Sequence, residues 1–125
     1  DLVDIFRIND IVEKYPVRFA KRVLGNKEFG TYENILYSDV RWKEKANRFI
    51  AKRLAAKEAV SKAFGTGLRG QISLKRIEVL NDNLGKPYVV LSPLKDKNPI
   101  PYFKKIHISL TDEKNFAQAI AILEG

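Results

Sequence analysis

"WKEKANRFIAKRLAAKEAVSKAFGTGLRG", residues 42–70, decides the fold. Its alanine-rich body predicts one long helix from Trp42 to Phe64, because alanine and straight-chain residues resist a helix least. Gly65-Thr66-Gly67 stops it. Phe49, Ala56, Val60, Ala63 and Phe64 fall on one side. Glu58 falls on the other, among Ala51, Leu54, Ala55, Ser61 and Lys62. That second side is also small or apolar, where an exposed helix would show a polar face. The helix is therefore expected to be covered on most of its circumference, with Glu58 in or beside a contact.

Beyond Gly70 the periodicity changes from helical to alternating. "LKRIEVLN" (74–81) reads as a strand, "NDNLGKP" (81–87) as a turn and "YVVL" (88–91) as the returning strand. "KIHISL" (105–110) and "FAQAIAIL" (116–123) are two more strands, joined by "TDEKN". Between the pairs, "SPLKDKNPIPYFKK" (92–105) carries three prolines and is irregular. Upstream, "DLVDIFRINDIVEKY" opens with a short apolar piece, and Ile5, Ile8, Ile11 and Val12 then recur at helical spacing. Pro16 suits the first turn of the next helix, "VRFAKRVLG", which is expected to end at Gly25 as a C′ glycine. Asn26 is the expected cap of a third helix reaching Tyr37, with Glu28 in its first turn. Helices followed by a meander of strands give an α+β fold: N-terminal helices, one long central helix and a mostly antiparallel sheet.

Composition narrows the class. At 125 residues, with 45% apolar and 30% charged side chains, residues 1–125 are expected to form a single domain. No apolar run approaches the roughly 18 residues of a membrane span, and no secretory leader is visible. The absence of cysteine removes disulfides and thiolate zinc sites and suits a cytoplasmic protein, and the single histidine removes a His-rich metal site. The formal charge of +8 suits an anionic partner: nucleic acid, an acidic protein or a phosphorylated small molecule.

Several residues allow two readings. Glu58 and Lys62 stand four apart with the acid first, the favourable order for a surface ion pair. The Gly-Thr-Gly corner is a helix stop and not a phosphate-binding P-loop, since no GxxxxGK[ST] follows a strand. A helix C-terminus repels bare phosphate, so an anion there needs lysines or a metal to outweigh the dipole. In "DLVDI", alternation puts Asp1 with Val3 and Asp4 with Leu2 on opposite faces. One of these carboxylates together with Glu58 would make an oxygen-only site suited to Mg²⁺ or Mn²⁺. His107 on its strand is a structural residue by default. Arg7, Lys14, Arg18, Lys21 and Arg22 form either a solvated face or a docking patch for an acidic partner.

In combination, "RFIAKRLAAKEAVSKAFGTGLRG", "IEVLNDNLGKPYV" and "HISLTDEKNFAQAIAIL" resemble holo-acyl-carrier-protein synthase, the small trimeric class of 4′-phosphopantetheinyl transferases. "DLVDIFRI" and "RFAKRVLGNKEF" fit the family's opening, so the resemblance spans nearly the whole chain. It implies a Mg²⁺-dependent transfer of the phosphopantetheine arm of coenzyme A to a serine of an acyl carrier protein, releasing adenosine 3′,5′-bisphosphate, in the service of fatty acid biosynthesis. It implies that Asp1 and Glu58 hold the metal, that Lys62 meets the reacting phosphate, and that Ser61 and Gly65 line the coenzyme pocket. It further implies a homotrimer with sites between subunits, the adjacent chain supplying Arg53 and the turn at Asn83, Gly85, Lys86 and Pro87. His107 and Ser109 match the H-x-S strand near the site, and Arg7, Arg18 and Arg22 match the carrier-docking segment. Glu58, or a water held at Asp1, would take the serine proton. Neither nucleic acid nor a membrane is implied as a partner.

Two features depart from the family pattern. The sequence opens directly at the acid of the G-x-D motif, and Ser92–Phe103 carries prolines where many relatives have an alanine-rich helix. The rival reading is a non-catalytic, basic nucleic-acid-binding domain. It accounts for the charge and not for an acid on the alanine helix, and no nucleic-acid motif is visible.

Overall fold

A computed structural model describes residues 1–69, 72–92, 100 and 102–125. Most of the proline-containing stretch lies outside these residues. The elements run β1 (Leu2–Asp4), α1 (Ile5–Lys14), α2 (Pro16–Val23), α3 (Asn26–Ile35), α4 (Trp42–Phe64), β2 (Ile77–Asn81), β3 (Pro87–Leu91), β4 (Lys105–Asp112) and β5 (Phe116–Glu124). The expected α+β class holds, and α4 has the expected bounds.

Asp4 starts α1 by accepting a hydrogen bond from the Phe6 amide at 2.9 Å. Pro16 occupies the first turn of α2, where its missing N–H costs nothing. The next junction differs from expectation. Gly25 is extended (φ −74°, ψ 177°) and not left-handed, and it caps α3, while Asn26 is already helical. Two carboxylates do the capping that Asn26 was expected to do. Glu28 Oε1 accepts from the Gly25 amide at 3.0 Å, and Glu78 Oε2 accepts from the amides of Lys27 and Glu28 at 2.9 and 3.1 Å. Gly25 is needed for space: a Cβ there would lie 2.5 Å from Glu78 Cγ. Helix α3 stops at Ile35, two residues short of the expected end, and Tyr37 takes a positive φ of 61°.

Helix α4, about 35 Å long at 1.5 Å per residue, is the spine. Its buried residues lie around most of its circumference, as its composition foretold. Gly65 ends it in the left-handed region (φ 76°), where a side chain would be strained.

The strands form two antiparallel units instead of one meander. β1 joins the far edge of a sheet ordered β1-β5-β4, and β2-β3 is a separate ribbon. Val3 pairs with Ala117, which carries the chain start onto the sheet beneath α4. The main core joins Ala51 and Ala55 of α4 to Ala117 and Ala119 of β5, so small side chains let helix and sheet approach closely. Val60, Ile72 and Ile77 form a second cluster under the ribbon. The other sheet face is open: Ile120 and Ile122 are 58% and 61% exposed, opposite Ser109 and His107 of β4.

Candidate active site

Two distant segments meet at the C-terminal half of α4. The Asp1 carboxylate is held in place because β1 is stitched to β5, with the Ala119 amide donating to the Asp1 carbonyl at 2.8 Å. Lys62 Nζ then donates to Asp1 Oδ1 at 2.5 Å. The Asp1 side chain is only 14% exposed, whereas that of Lys62 is 71% exposed. The local Glu58–Lys62 ion pair allowed by the spacing does not form; Lys62 turns to Asp1, and Glu58 has no ion-pair partner among the described residues.

Glu58 lines a cavity of about 320 Å³ with Leu2, Asp4, Arg7, Phe19 and Leu54. Asp4 itself is taken up in capping α1, and Asp1, just before β1, is the carboxylate that meets the helix lysine. A second groove, about 350 Å³, is lined by Ile11, Tyr15, Arg18, Phe19 and Arg22. Ile11 and Phe19 border both hollows, so Arg18 and Arg22 flank a surface that leads to Glu58. Arg7, Lys14, Arg18, Lys21 and Arg22 are all exposed.

Around the helix stop, the Ser61 hydroxyl donates to the Glu58 carbonyl at 2.7 Å, and the Gly65 amide reaches the Lys62 carbonyl at 3.0 Å. These bonds fix the corner at which Lys62 projects.

The residues expected to act from a neighbouring subunit lie elsewhere in the chain. Arg53 is 6% exposed, stacks on the Phe49 ring at 4.4 Å, and donates from Nη2 to Asn81 Oδ1 at 2.6 Å. Its Nε is the one buried side-chain polar atom without a partner among the described residues. Burial pushes the Arg53 guanidinium below the usual arginine range. Asn81 in turn donates to the Gly85 carbonyl, and Asp82 Oδ1 accepts from the amides of Leu84 and Lys86, each at 2.9 Å. Gly85 supplies the positive φ of 84° that this turn requires. The turn carrying Asn83, Gly85, Lys86 and Pro87 is thus a braced projection with Leu84 94% exposed. No hydrogen bond among the described residues joins it to Asp1, Glu58 or Lys62 of its own chain. His107 and Ser109 lie on the open sheet face, and His107 Nε2 is 3.2 Å from Glu124 Oε1.

Sequence reasoning missed Lys57 and its pairing with Glu28, which it placed only in the first turn of α3. Lys57 is fully buried and bonded to Glu28, also fully buried. The available signal was its place in the apolar stripe Ile50, Ala56, Val60, where a lysine is out of pattern.

The chain matches the model of the 4′-phosphopantetheinyl transferase superfamily over residues 1–121. It belongs to that superfamily. Among curated relatives, holo-[acyl-carrier-protein] synthase of Nitrosospira multiformis is 42% identical over 125 residues, covering 99% of this chain and 94% of the relative. Holo-[acyl-carrier-protein] synthase of Neisseria meningitidis superposes with a TM-score of 0.83 at 31% identity, covering 100% of this chain and 94% of the other. That of Bacillus anthracis, in complex with CoA (3′,5′-ADP), gives 0.78 at 33% identity, covering 99% and 91%. The relatives named are holo-[acyl-carrier-protein] synthases, and nothing among them favours a nucleic-acid-binding domain.

Proposed function

We propose that this chain transfers the 4′-phosphopantetheine group of coenzyme A to a serine hydroxyl of an apo-acyl carrier protein in the cytoplasm. The observation that carries the reading is the meeting of Asp1 with Lys62 one helical turn beyond Glu58, beside a basic groove. An ammonium bonded to one carboxylate, with a second carboxylate one turn earlier on the same helix, suits a diphosphate that arrives with a divalent cation.

The donor set fits Mg²⁺. Asp1 and Glu58 offer oxygen ligands only, with no histidine or cysteine between them. Magnesium takes one or two carboxylates and fills its remaining positions with phosphate and water. Asp1 and Glu58 would hold it, and when bound it would offset charge on the diphosphate. Lys62 is mostly exposed and can leave Asp1 for a phosphate oxygen, where its charge stabilises the leaving group. The serine Oγ attacks the phosphorus that bears pantetheine. The bond from that phosphorus to the bridging oxygen breaks, and adenosine 3′,5′-bisphosphate leaves with the electron pair. The serine proton passes to Glu58 or to a water held at Asp1, and Lys62, once it turns to the phosphate, leaves both carboxylates free of its charge.

The carrier docks against Arg7, Arg18 and Arg22. Arg7 lines the same cavity as Glu58, so a bound carrier would bring its serine to the reacting end. Carrier proteins are acidic, and the +8 charge favours the encounter.

The active unit is a homotrimer. Exposed Ile120 and Ile122 need a cover, and the braced turn at residues 82–87 stands out from its own chain with Leu84 exposed at its tip. Packed against a second copy, the turn can bring Asn83, Gly85, Lys86 and Pro87 to the neighbour's coenzyme, with Arg53 supporting it from behind. His107 and Ser109 on the same open face then lie at the seam.

The test is release of adenosine 3′,5′-bisphosphate from coenzyme A, followed chromatographically with apo-carrier protein and Mg²⁺. Release that depends on all three components is expected; none under any condition overturns the reading.

A further inference from the structure

Directly before Glu58, Lys57 spends all three of its N–H donors inside the protein. Nζ reaches Glu28 Oε1 at 2.5 Å, the Val23 carbonyl at 2.6 Å and the Leu74 carbonyl at 2.7 Å. Lys57 and Glu28 are both 0% exposed. The three acceptors belong to three parts of the molecule: the last residue of α2, the first turn of α3, and the segment leading into β2. Glu28 extends the links, because its Oε2 accepts from the Val79 amide of β2 at 2.9 Å. Glu78, next to Val79, caps α3 from the other side.

A buried ion pair is a poor device for stability alone, since apolar side chains of similar volume serve as well or better. What a directional, three-bonded ammonium supplies is orientation. Successive helix residues are about 100° apart around the axis. A helix whose Lys57 is fixed in three directions cannot turn about its axis without breaking those bonds, and the setting of Glu58 follows. We propose that Lys57, with Glu28, is a positioning residue that sets the rotation of α4 and so aims the Glu58 carboxylate at Asp1 to complete the cation site. The proposal rests on the transferase reading above. Consistent with so enclosed a position, burial pushes the Lys57 ammonium below the usual lysine range, and Glu28 and Glu78 work against that.

The test uses the full chain carrying Lys57→Met with Glu28→Gln, which removes both charges while roughly keeping shape, and Glu28→Gln alone, which leaves Lys57 its two carbonyl partners. Mn²⁺ binding is read by electron paramagnetic resonance with coenzyme A present and no carrier protein, beside the melting temperature and the Mg²⁺ concentration giving half-maximal rate. The double variant is expected to fold, to bind Mn²⁺ about tenfold more weakly, and to recover rate as Mg²⁺ is raised. The single variant should fall between it and the unsubstituted protein. Folded variants with unchanged Mn²⁺ affinity and unchanged Mg²⁺ requirement would overturn the assignment alone. Failure of both variants to fold would also overturn it, by making the pair a requirement of the fold. An unsubstituted protein that neither binds Mn²⁺ nor transfers would sink the functional reading and this assignment with it.

Discussion

Asp1 Oδ1 accepts a 2.5 Å hydrogen bond from Lys62 Nζ, although 61 residues separate the two. The acid is sheltered at the start of β1 and the lysine stands in solvent near a helix end, so the lysine is the partner free to move. Lys62→Ala should therefore lower kcat by roughly 10²-fold, the usual cost of one lost donor to developing charge. Glu58→Gln should abolish transfer while leaving the assembly intact by size-exclusion chromatography. A fully active Glu58→Gln would remove that residue from the metal site.

Docking is separable from chemistry. Charge reversal at Arg18 and Arg22 should raise KM for the carrier protein about tenfold or more and leave KM for coenzyme A nearly unchanged. The unsubstituted protein should lose carrier affinity as salt rises, because exposed charges are screened. Equal effects on both substrates would refute the assignment.

Gly25 is constrained by its neighbour. In Gly25→Ala the new Cβ would press on Glu78, which is held by two amides at the start of α3 and cannot swing away freely. Thermal denaturation should show a loss of about 1–3 kcal/mol, the range for overpacking. A melting temperature equal to that of the unsubstituted protein would show that this junction has slack.

Asp112 provides an acid-side signature. Burial alone would push its carboxyl up, but Lys52 and Arg48 outweigh burial and hold it below the usual carboxylate range. A depressed folded value means the stabilisation is complete above the ordinary unfolded value, about 3.9, and fades as pH falls through the folded one. Asp112→Asn should thus lower the melting temperature at pH 7, with the gap closing below about pH 4. A gap constant across that range would mean the effect is not this titration.

The proposed trimer rests on the open sheet face. Ile122→Lys places a charge where an apolar cover is proposed, and sedimentation should show a shift from trimer to monomer. A variant that remains trimeric would move the interface to another surface.

The parts of this molecule that were legible in its sequence are those written locally. Helix α4 announces itself by alanines and a glycine stop, and the 81–87 turn by Asn, Asp and Gly. The roles of Asp1, Glu58 and Lys62 came from a family pattern and not from spacing, which favoured a plain Glu58–Lys62 pair. Nothing local says that β1 would lay Asp1 on β5 and hand it to Lys62. Lys57 and its pairing with Glu28 were missed because a charge in a helix reads as solvent-facing until its partner, 29 residues away, is known. Gly25 was misread for a similar reason: the atoms that require a glycine belong to Glu78, far along the chain.

The most direct measurement is the intact mass of an apo-acyl carrier protein incubated with this protein and coenzyme A, with Mg²⁺ and again with EDTA. The account predicts a gain of about 340 Da, the phosphopantetheine group carried by the cofactor, with Mg²⁺ only, restored when Mg²⁺ is returned in excess. An unmodified carrier protein under every condition, or a gain indifferent to EDTA, would contradict it.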